Sequence, residues 1–476
     1  MKEAGFAHRL AFWVWINDIR SEPLAGVAWP AVAIDRRTER DFRQMVALLK
    51  RAGYNALDVF GLLTNHDWPL EIPTVIDPRR RRQVRALIEA AHRADLKVIY
   101  GLGVYSWGFD TIIRSDPGAR GTNPSAMCGS KPGAREWMRK VVDFVAGSFD
   151  VDGFHLEVAD QGRCRCPDCA RETDLQYYCR LNRETADYIR SRNPEMLLLV
   201  NTSGYLPWGS FVPAGEFPTL NLMGKSIDVL IDGGNHGTFI REDTRRQFIA
   251  GYPSHYGTSG GFWVYPPQHW ERLRWFLPYV QTRGEHLKRL YEDGSRACEL
   301  YLGPLANPST EMSVFCNGRQ LEDPSRGAAE VLAEAIDLLY RPKRGEDNRR
   351  LQEVFLRAER AFFDSWSPDR ARGLPDPYTD GIEPLFGWSK DDLERARPGE
   401  LFLEPILATA PGFPVYLAVH MNRGGRSRYR GELQDLSKAV VGLAGRFRDG
   451  GRVERIRRCL GGVLRDLDTV DAVKEL

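Results

Sequence analysis

One pattern limits what this chain can become. Short apolar runs alternate with amphipathic helical segments, eight times over, across the first 340 or so residues. The candidate strands are Ala11–Asn17, Tyr54–Phe60, Lys97–Tyr105, Gly153–Ala159, Leu197–Thr202, Ile227–Asp232, Gly261–Tyr265 and Ala297–Leu302. Between them, apolar residues recur at helical spacing. Phe42, Met45, Val46 and Leu49 share one face after a capping Thr38, and Val84, Leu87, Ile88 and Ala91 do so after Pro78. Trp137, Val141, Phe144 and Val145 repeat the pattern, as do Tyr178, Leu181, Thr185, Tyr188 and Ile189. Strands that read as near-continuous apolar runs are buried on both faces, so the alternation predicts an α/β fold, a parallel (β/α)₈ TIM barrel. A doubly wound open sheet is the competitor. Its dinucleotide loop is not met: Gly101-Leu102-Gly103 lacks the third glycine and the following helix start.

The character changes after a helix at Ala328–Leu339, which ends before Pro342. Arg344–Asn348 is a charged break, Leu351–Phe363 an amphipathic helix, and 366–399 is rich in Pro, Asp and Gly. An apolar stretch at Leu401–Tyr416 precedes two expected helices, Glu432–Arg448 and Val453–Val473. The expected division is a catalytic barrel over 1–343 and a mainly helical C-terminal domain over 344–476. Leu436, Val440 and Leu443, then Ile456, Leu460 and Leu464, form stripes that need a cover. A homo-oligomer is the expected solution, with the barrel itself as the alternative cover.

Charge and composition narrow the partners. With 66 Lys+Arg against 64 Asp+Glu the net charge is +2, which gives no bulk reason to expect nucleic acid. No apolar run approaches the ~20 residues of a membrane helix. Leu10–Ile16 lacks a small-residue cleavage site, so the expected location is the cytoplasm. Eight cysteines in a reducing compartment then point to a metal. Cys164-Arg-Cys166-Pro-Asp-Cys169 supplies three thiolates, and Cys128, in the long loop after strand three, is the expected fourth. Cys179 is its rival, and free thiols are the plain alternative. A closed structural zinc pinning the third and fourth loops is expected, with no organic cofactor.

Barrels of this kind do chemistry at the C-terminal ends of their strands. Those ends carry Trp15, Asp58, Tyr105, Trp107, His155, Glu157, Asn201, Asp232, Trp263, Tyr265, Glu299 and Tyr301, with Asp160 just beyond strand four. Carboxylates ringed by tryptophan and tyrosine suit a carbohydrate: aromatic faces stack on sugar rings, and a carboxylate pair can flank a glycosidic bond. A Ser–His–Asp elbow, a phosphate loop and HExxH are all absent from the sequence. Glu157 is the expected general acid, with Asp160 its partner in orienting a substrate group. His155 shares strand parity with Glu157 and reads as a supporting histidine. Two other readings stay open. One has Asp160 as nucleophile and Asp232 as acid/base, and the other is a catalytically silent carbohydrate-binding barrel.

Two resemblances attach to these motifs. Cys128-Gly-Ser-Lys-Pro-Gly-Ala-Arg-Glu, then Glu157 at a strand end, then the C-x-C-x₂-C run, resembles the zinc-site layout of family 42 β-galactosidases. That likeness implies an acid/base role for Glu157, although Leu156 stands where the family has asparagine and strand seven offers no nucleophilic glutamate. Asp152-Gly-Phe-His155-Leu-Glu-Val-Ala-Asp160 with the same cysteine run, and the later Tyr301–Glu311 stretch, resemble family 163 glycoside hydrolases, relatives of family 20 hexosaminidases. This second likeness implies a substrate whose own acetamido oxygen serves as nucleophile.

Overall fold

The computed structural model describes residues 5–13, 34–60, 62–63, 67–157, 161–202, 205, 214–232, 246, 249–250, 255–259, 275–302, 305–366, 414, 417 and 421–474. The strands are β1 His8–Trp13, β2 Ala56–Val59, β3 Lys97–Gly103, β4 Gly153–Glu157, β5 Leu197–Asn201, β6 Val229–Asp232, β7 His255–Ser259 and β8 Ala297–Tyr301. They pair in chain order, all parallel, and β8 closes on β1 with Phe12 beside Tyr301. The expected barrel is therefore the fold, and the open doubly wound sheet is excluded.

Two boundaries move for physical reasons. Strand seven lies at His255–Ser259, paired with His255 beside Val229 and Ser259 beside Glu299, while the expected Gly261–Tyr265 falls outside the described residues. Strand three stops at Gly103, since the backbone turns immediately after it, with φ of 63° at Tyr105 and 61° at Trp107.

The helices of the barrel are α1 Arg36–Ala52, α2 Pro78–Arg93, α3 Asp110–Ser115, α4 Pro132–Ser148, α5 Asp174–Arg192, the single turn α6 Phe217–Leu220, α7 Gln281–Glu292, α8 Pro308–Glu322 and α9 Ala328–Leu339. Their starts carry the expected chemistry. Asp35, not Thr38, caps α1: its carboxylate accepts the Thr38 N–H at 2.8 Å. Asp77 caps α2 ahead of Pro78, and Thr173 and Gln176 form a capping box on α5. The apolar faces read from the sequence point inward: Phe42, Met45, Val46 and Leu49 are all buried.

Beyond the barrel follow α10 Gly345–Asp364, α11 Arg423–Val440 and α12 Gly450–Lys474. All three run longer or begin earlier than the sequence pattern indicated, and the stretch 401–413 falls outside the described residues. These helices belong to the same core. Glu359 of α10 reaches the start of α7, where Val280 and Gln281 donate their N–H groups to its Oε2 at 3.0 and 2.9 Å, and Thr282 donates to Oε1 at 2.8 Å. Arg452 of α12 hydrogen-bonds Glu311 of α8. Leu436, Val440, Leu443, Ile456 and Leu460 are buried within the chain, and Leu464 packs against the same core. The stripes expected to call for a second copy are thus covered internally. No helix among the described residues is long and apolar enough to cross a membrane.

Candidate active site at the barrel mouth

Strand alternation decides what faces the barrel axis. Leu10, Ala56, Ile99, Leu199, Val229, Ile231 and Ala297 pack together as an apolar floor. Two residues further along each strand, the same parity brings Asp58 from β2, His155 from β4 and Glu299 from β8 to one level. All three are fully buried. The register is set by pairs such as Phe12 with Asp58, Leu10 with Glu299 and Gly101 with His155.

These side chains meet at one imidazole. His155 Nδ1 hydrogen-bonds Asp58 Oδ2 and lies 3.3 Å from Glu299 Oε1. His155 Nε2 lies 3.3 Å from Glu157 Oε2, one strand step higher. Glu157 is 19% exposed and is the member of the group that reaches solvent. Burial alone would drive the His155 proton off; the adjacent carboxylates of Asp58 and Glu299 outweigh it and hold the imidazole well above its ordinary value. Burial pushes Glu299 up to about 7, opposed by His155 and reinforced by Asp58.

An aromatic wall stands around the imidazole. Phe12 and Phe60 lie 5.8 and 5.5 Å from the His155 ring, and Trp107 lies 5.4 Å from Phe60. Glycine makes this possible: a Cβ at Gly101 would sit 2.2 Å from the Phe60 ring. Phe12 and Phe60 were not among the residues singled out from sequence, although the Leu10–Phe12 alternation on β1 carries the signal.

The other sequence candidates divide clearly. Trp107 and Asn201 lie near Glu157: Trp107 against Gly103, the β3 register partner of Glu157, and Asn201 as its β5 register partner. Asp58 and Glu299, expected among the residues facing substrate, and His155, read as a supporting histidine, are sealed beneath Glu157 and touch it or each other instead. Tyr105 is not at the mouth. Its positive φ turns it outward, where it lines a cleft of about 360 Å³ between α4 and α5 with Arg135, Met138 and Glu184. The backbones of Asp232 and Tyr301 end β6 and β8, but their side chains, like Trp15, Asp160, Trp263 and Tyr265, lie outside the described residues.

The cysteines also converge. Ligand atoms of Cys128, Cys164, Cys166 and Cys169 all lie within 4.8 Å of one another, a group that could hold a metal ion. Cys128 Sγ stands 3.7 Å from both Cys166 Sγ and Cys169 Sγ. That is too long for a disulfide and close to the ~3.8 Å edge of a tetrahedron with metal–sulfur bonds of about 2.3 Å. The backbone N–H of Cys169, assisted by side-chain hydrogen bonds with Ser130, Cys169 and Cys128, holds the Cys166 thiol down to about 6, while burial pushes Cys169 up to about 12. Cys179 is elsewhere, a buried thiol on α5. The two loops around the cluster are laced together: Asn123 Nδ2 donates to the Gln161 carbonyl at 2.9 Å, Arg165 N–H to Thr122 Oγ1 at 2.8 Å, and Trp107 N–H to Gln161 Oε1 at 3.3 Å.

A scan of protein-family models and a search of curated proteins return no match. Solved structures do match in fold. A GH138 enzyme targeting pectin rhamnogalacturonan II aligns with a TM-score of 0.60 at 8% identity, over 98% of this chain and 71% of that one. A mutant of the Thermobaculum terrenum O-GlcNAc hydrolase aligns at TM-score 0.50 and 11% identity, over 99% and 97%. CpGH84B aligns at TM-score 0.51 and 10% identity, over 99% and 69%. At these identities the likeness establishes a shared fold.

Proposed function

We propose that this chain is a glycoside hydrolase whose reaction centres on Glu157, paired with Asp160. The observation that carries the reading is a partly exposed carboxylate at the mouth of a closed barrel, mounted on a buried histidine whose ring packs against Phe60, with Trp107 beyond it. A barrel-interior carboxylate is costly to keep unless it is used. The partly exposed indole of Trp107, backed by the buried Phe60, offers a sugar ring a stacking face. The fold neighbours described as a pectin-targeting enzyme and an O-GlcNAc hydrolase support the same class.

The finer reading is an aminosugar substrate. The β7 sequence, His-Tyr-Gly-Thr-Ser, supplies no carboxylate to act as nucleophile opposite β4. A substrate acetamido oxygen would fill that role, with one carboxylate orienting it and the other protonating the leaving oxygen. Cys128, Cys164, Cys166 and Cys169 would hold a zinc ion that stiffens the loops after β3 and β4 without touching substrate. The test is a screen of aryl glycosides, N-acetylated ones included, with wild type and Glu157→Gln. Wild type should turn over at least one, and the variant should be slower by about 10²–10⁴-fold. Full activity in the variant would refute the assignment.

A further inference from the structure

The division of labour within that carboxylate pair follows from what lies under Glu157. Both ring nitrogens of His155 face carboxylate oxygens: Nδ1 faces Asp58 and Glu299, and Nε2 faces Glu157. A neutral imidazole has one donor and one acceptor nitrogen, so it would turn a lone pair toward an anion on one side. The cation satisfies both sides. The rings packed against the imidazole, Phe12 and Phe60, carry no charge. Three ionised carboxylates around one buried cation would leave a double negative charge in a dry interior, and one proton shared between Asp58 and Glu299 removes half of it. Glu299 has the raised affinity for that proton, and neither of its oxygens has a fully formed hydrogen bond to another group. The buried trio is then neutral, and the remaining negative charge sits on Glu157 at the mouth.

We propose that Asp58 and Glu299 hold His155 as a buried imidazolium, and that this cation keeps Glu157 ionised while a different group donates the proton. The catalytic half of the proposal rests on the glycosidase reading; the charge state of the cluster does not. Glu157 then orients a substrate N–H or stabilises developing positive charge on the sugar. His155, Asp58 and Glu299 are positioning residues that act through it. The general acid expected of Glu157 falls to another carboxylate, for which Asp160 is the sequence's nearest candidate.

Two measurements test this. First, carbon-13 carboxyl and nitrogen-15 imidazole spectra of the labelled full chain are recorded across pH, with signals assigned by difference against His155→Gln and Glu157→Gln. At neutral pH, His155 should show both nitrogens protonated and Glu157 should be ionised. A neutral His155 or a protonated Glu157 would overturn the proposal, whether or not any glycoside is cleaved. Second, pH profiles of kcat/KM are compared for wild type and His155→Gln on an activated aryl glycoside. Loss of a cation 3.3 Å away should raise the acidic limb by about 1–3 pH units. Slower turnover with an unmoved limb would make His155 merely structural. Glu157→Gln should lose activity on activated and unactivated substrates alike, and a loss confined to unactivated ones would return it to the acid role. Should His155→Gln fail to fold, the wild-type spectra still decide the charge states. Wild-type silence on all glycosides, with the predicted spectra, would sink the glycosidase reading and leave the charged cluster standing.

Discussion

Replacing Glu299 with glutamine should make the protein more stable at alkaline pH, and the size of the gain can be worked out. Glu299 is fully buried, and its affinity for a proton rises from an ordinary 4.5 to about 7, through burial first, with His155 opposing and Asp58 assisting. A folded-state pKa above the unfolded one contributes stability that is fully present below about 4.5 and is lost as pH rises through about 7. A displacement of that size corresponds to about 3 kcal/mol at 1.36 kcal/mol per unit. His155 is also raised, so its contribution declines in the same direction; the substitution removes the lesser of the two carboxylate charges that raise it and leaves Asp58, the larger, in place. Glutamine copies the protonated acid in shape, with one donor and one acceptor end. Urea unfolding at pH 5 should therefore find Glu299→Gln and wild type within about 1 kcal/mol, since a neutral amide of nearly the same volume replaces a neutral acid. By pH 8 the variant should lead by up to about 3 kcal/mol. A difference between the two that stays constant from pH 5 to pH 8, or that grows in favour of wild type, would refute the reasoning.

Metal content separates the two candidate fourth ligands. Full-length protein purified without chelator should carry about one zinc per chain, Cys179→Ser should retain it and Cys128→Ser should release it. Retention by Cys128→Ser would show the wrong set was chosen. Glu359→Ala removes the acceptor of three N–H groups at the start of α7 and should cost about 3–5 kcal/mol in urea unfolding. A loss below about 1 kcal/mol would mean that solvent replaces it.

The fold was legible because buried parallel strands and amphipathic helices differ in period, and the repeat of the two is long. What was not legible depends on closure. Gly261–Tyr265 carries the apolar and aromatic residues that suit a buried strand, whereas His255–Ser259 has almost none. Its place is dictated by partners on β6 and β8 that no local pattern announces. Arg423-Gly-Gly-Arg hid the start of α11 behind two poor helix formers, although Asn422 caps it. At the site, parity on β4 correctly put His155 and Glu157 on one face. That Asp58 and Glu299, 241 positions apart in the chain, would meet at His155 follows only from the stagger with which β8 joins β1 and β1 joins β2. Tyr105 misled because aromatic character says nothing about a backbone that turns to φ of 63°.

The reach of Glu359 back to α7 has a consequence for how the chain is made. Synthesis runs from the N-terminus, and the acceptor for the N–H groups of 280–282 is encoded 77 to 79 positions later. By the time β8 and α8 have left the ribosome, all eight strands exist, yet the first turn of α7 still lacks its anion and α8 has not met Arg452. The closed barrel is thus an intermediate of translation and not its first finished product. Its last helix starts are completed only as the C-terminal segment emerges, so a ribosome stalled between residues 340 and 359 should hold a barrel that proteases open at α7.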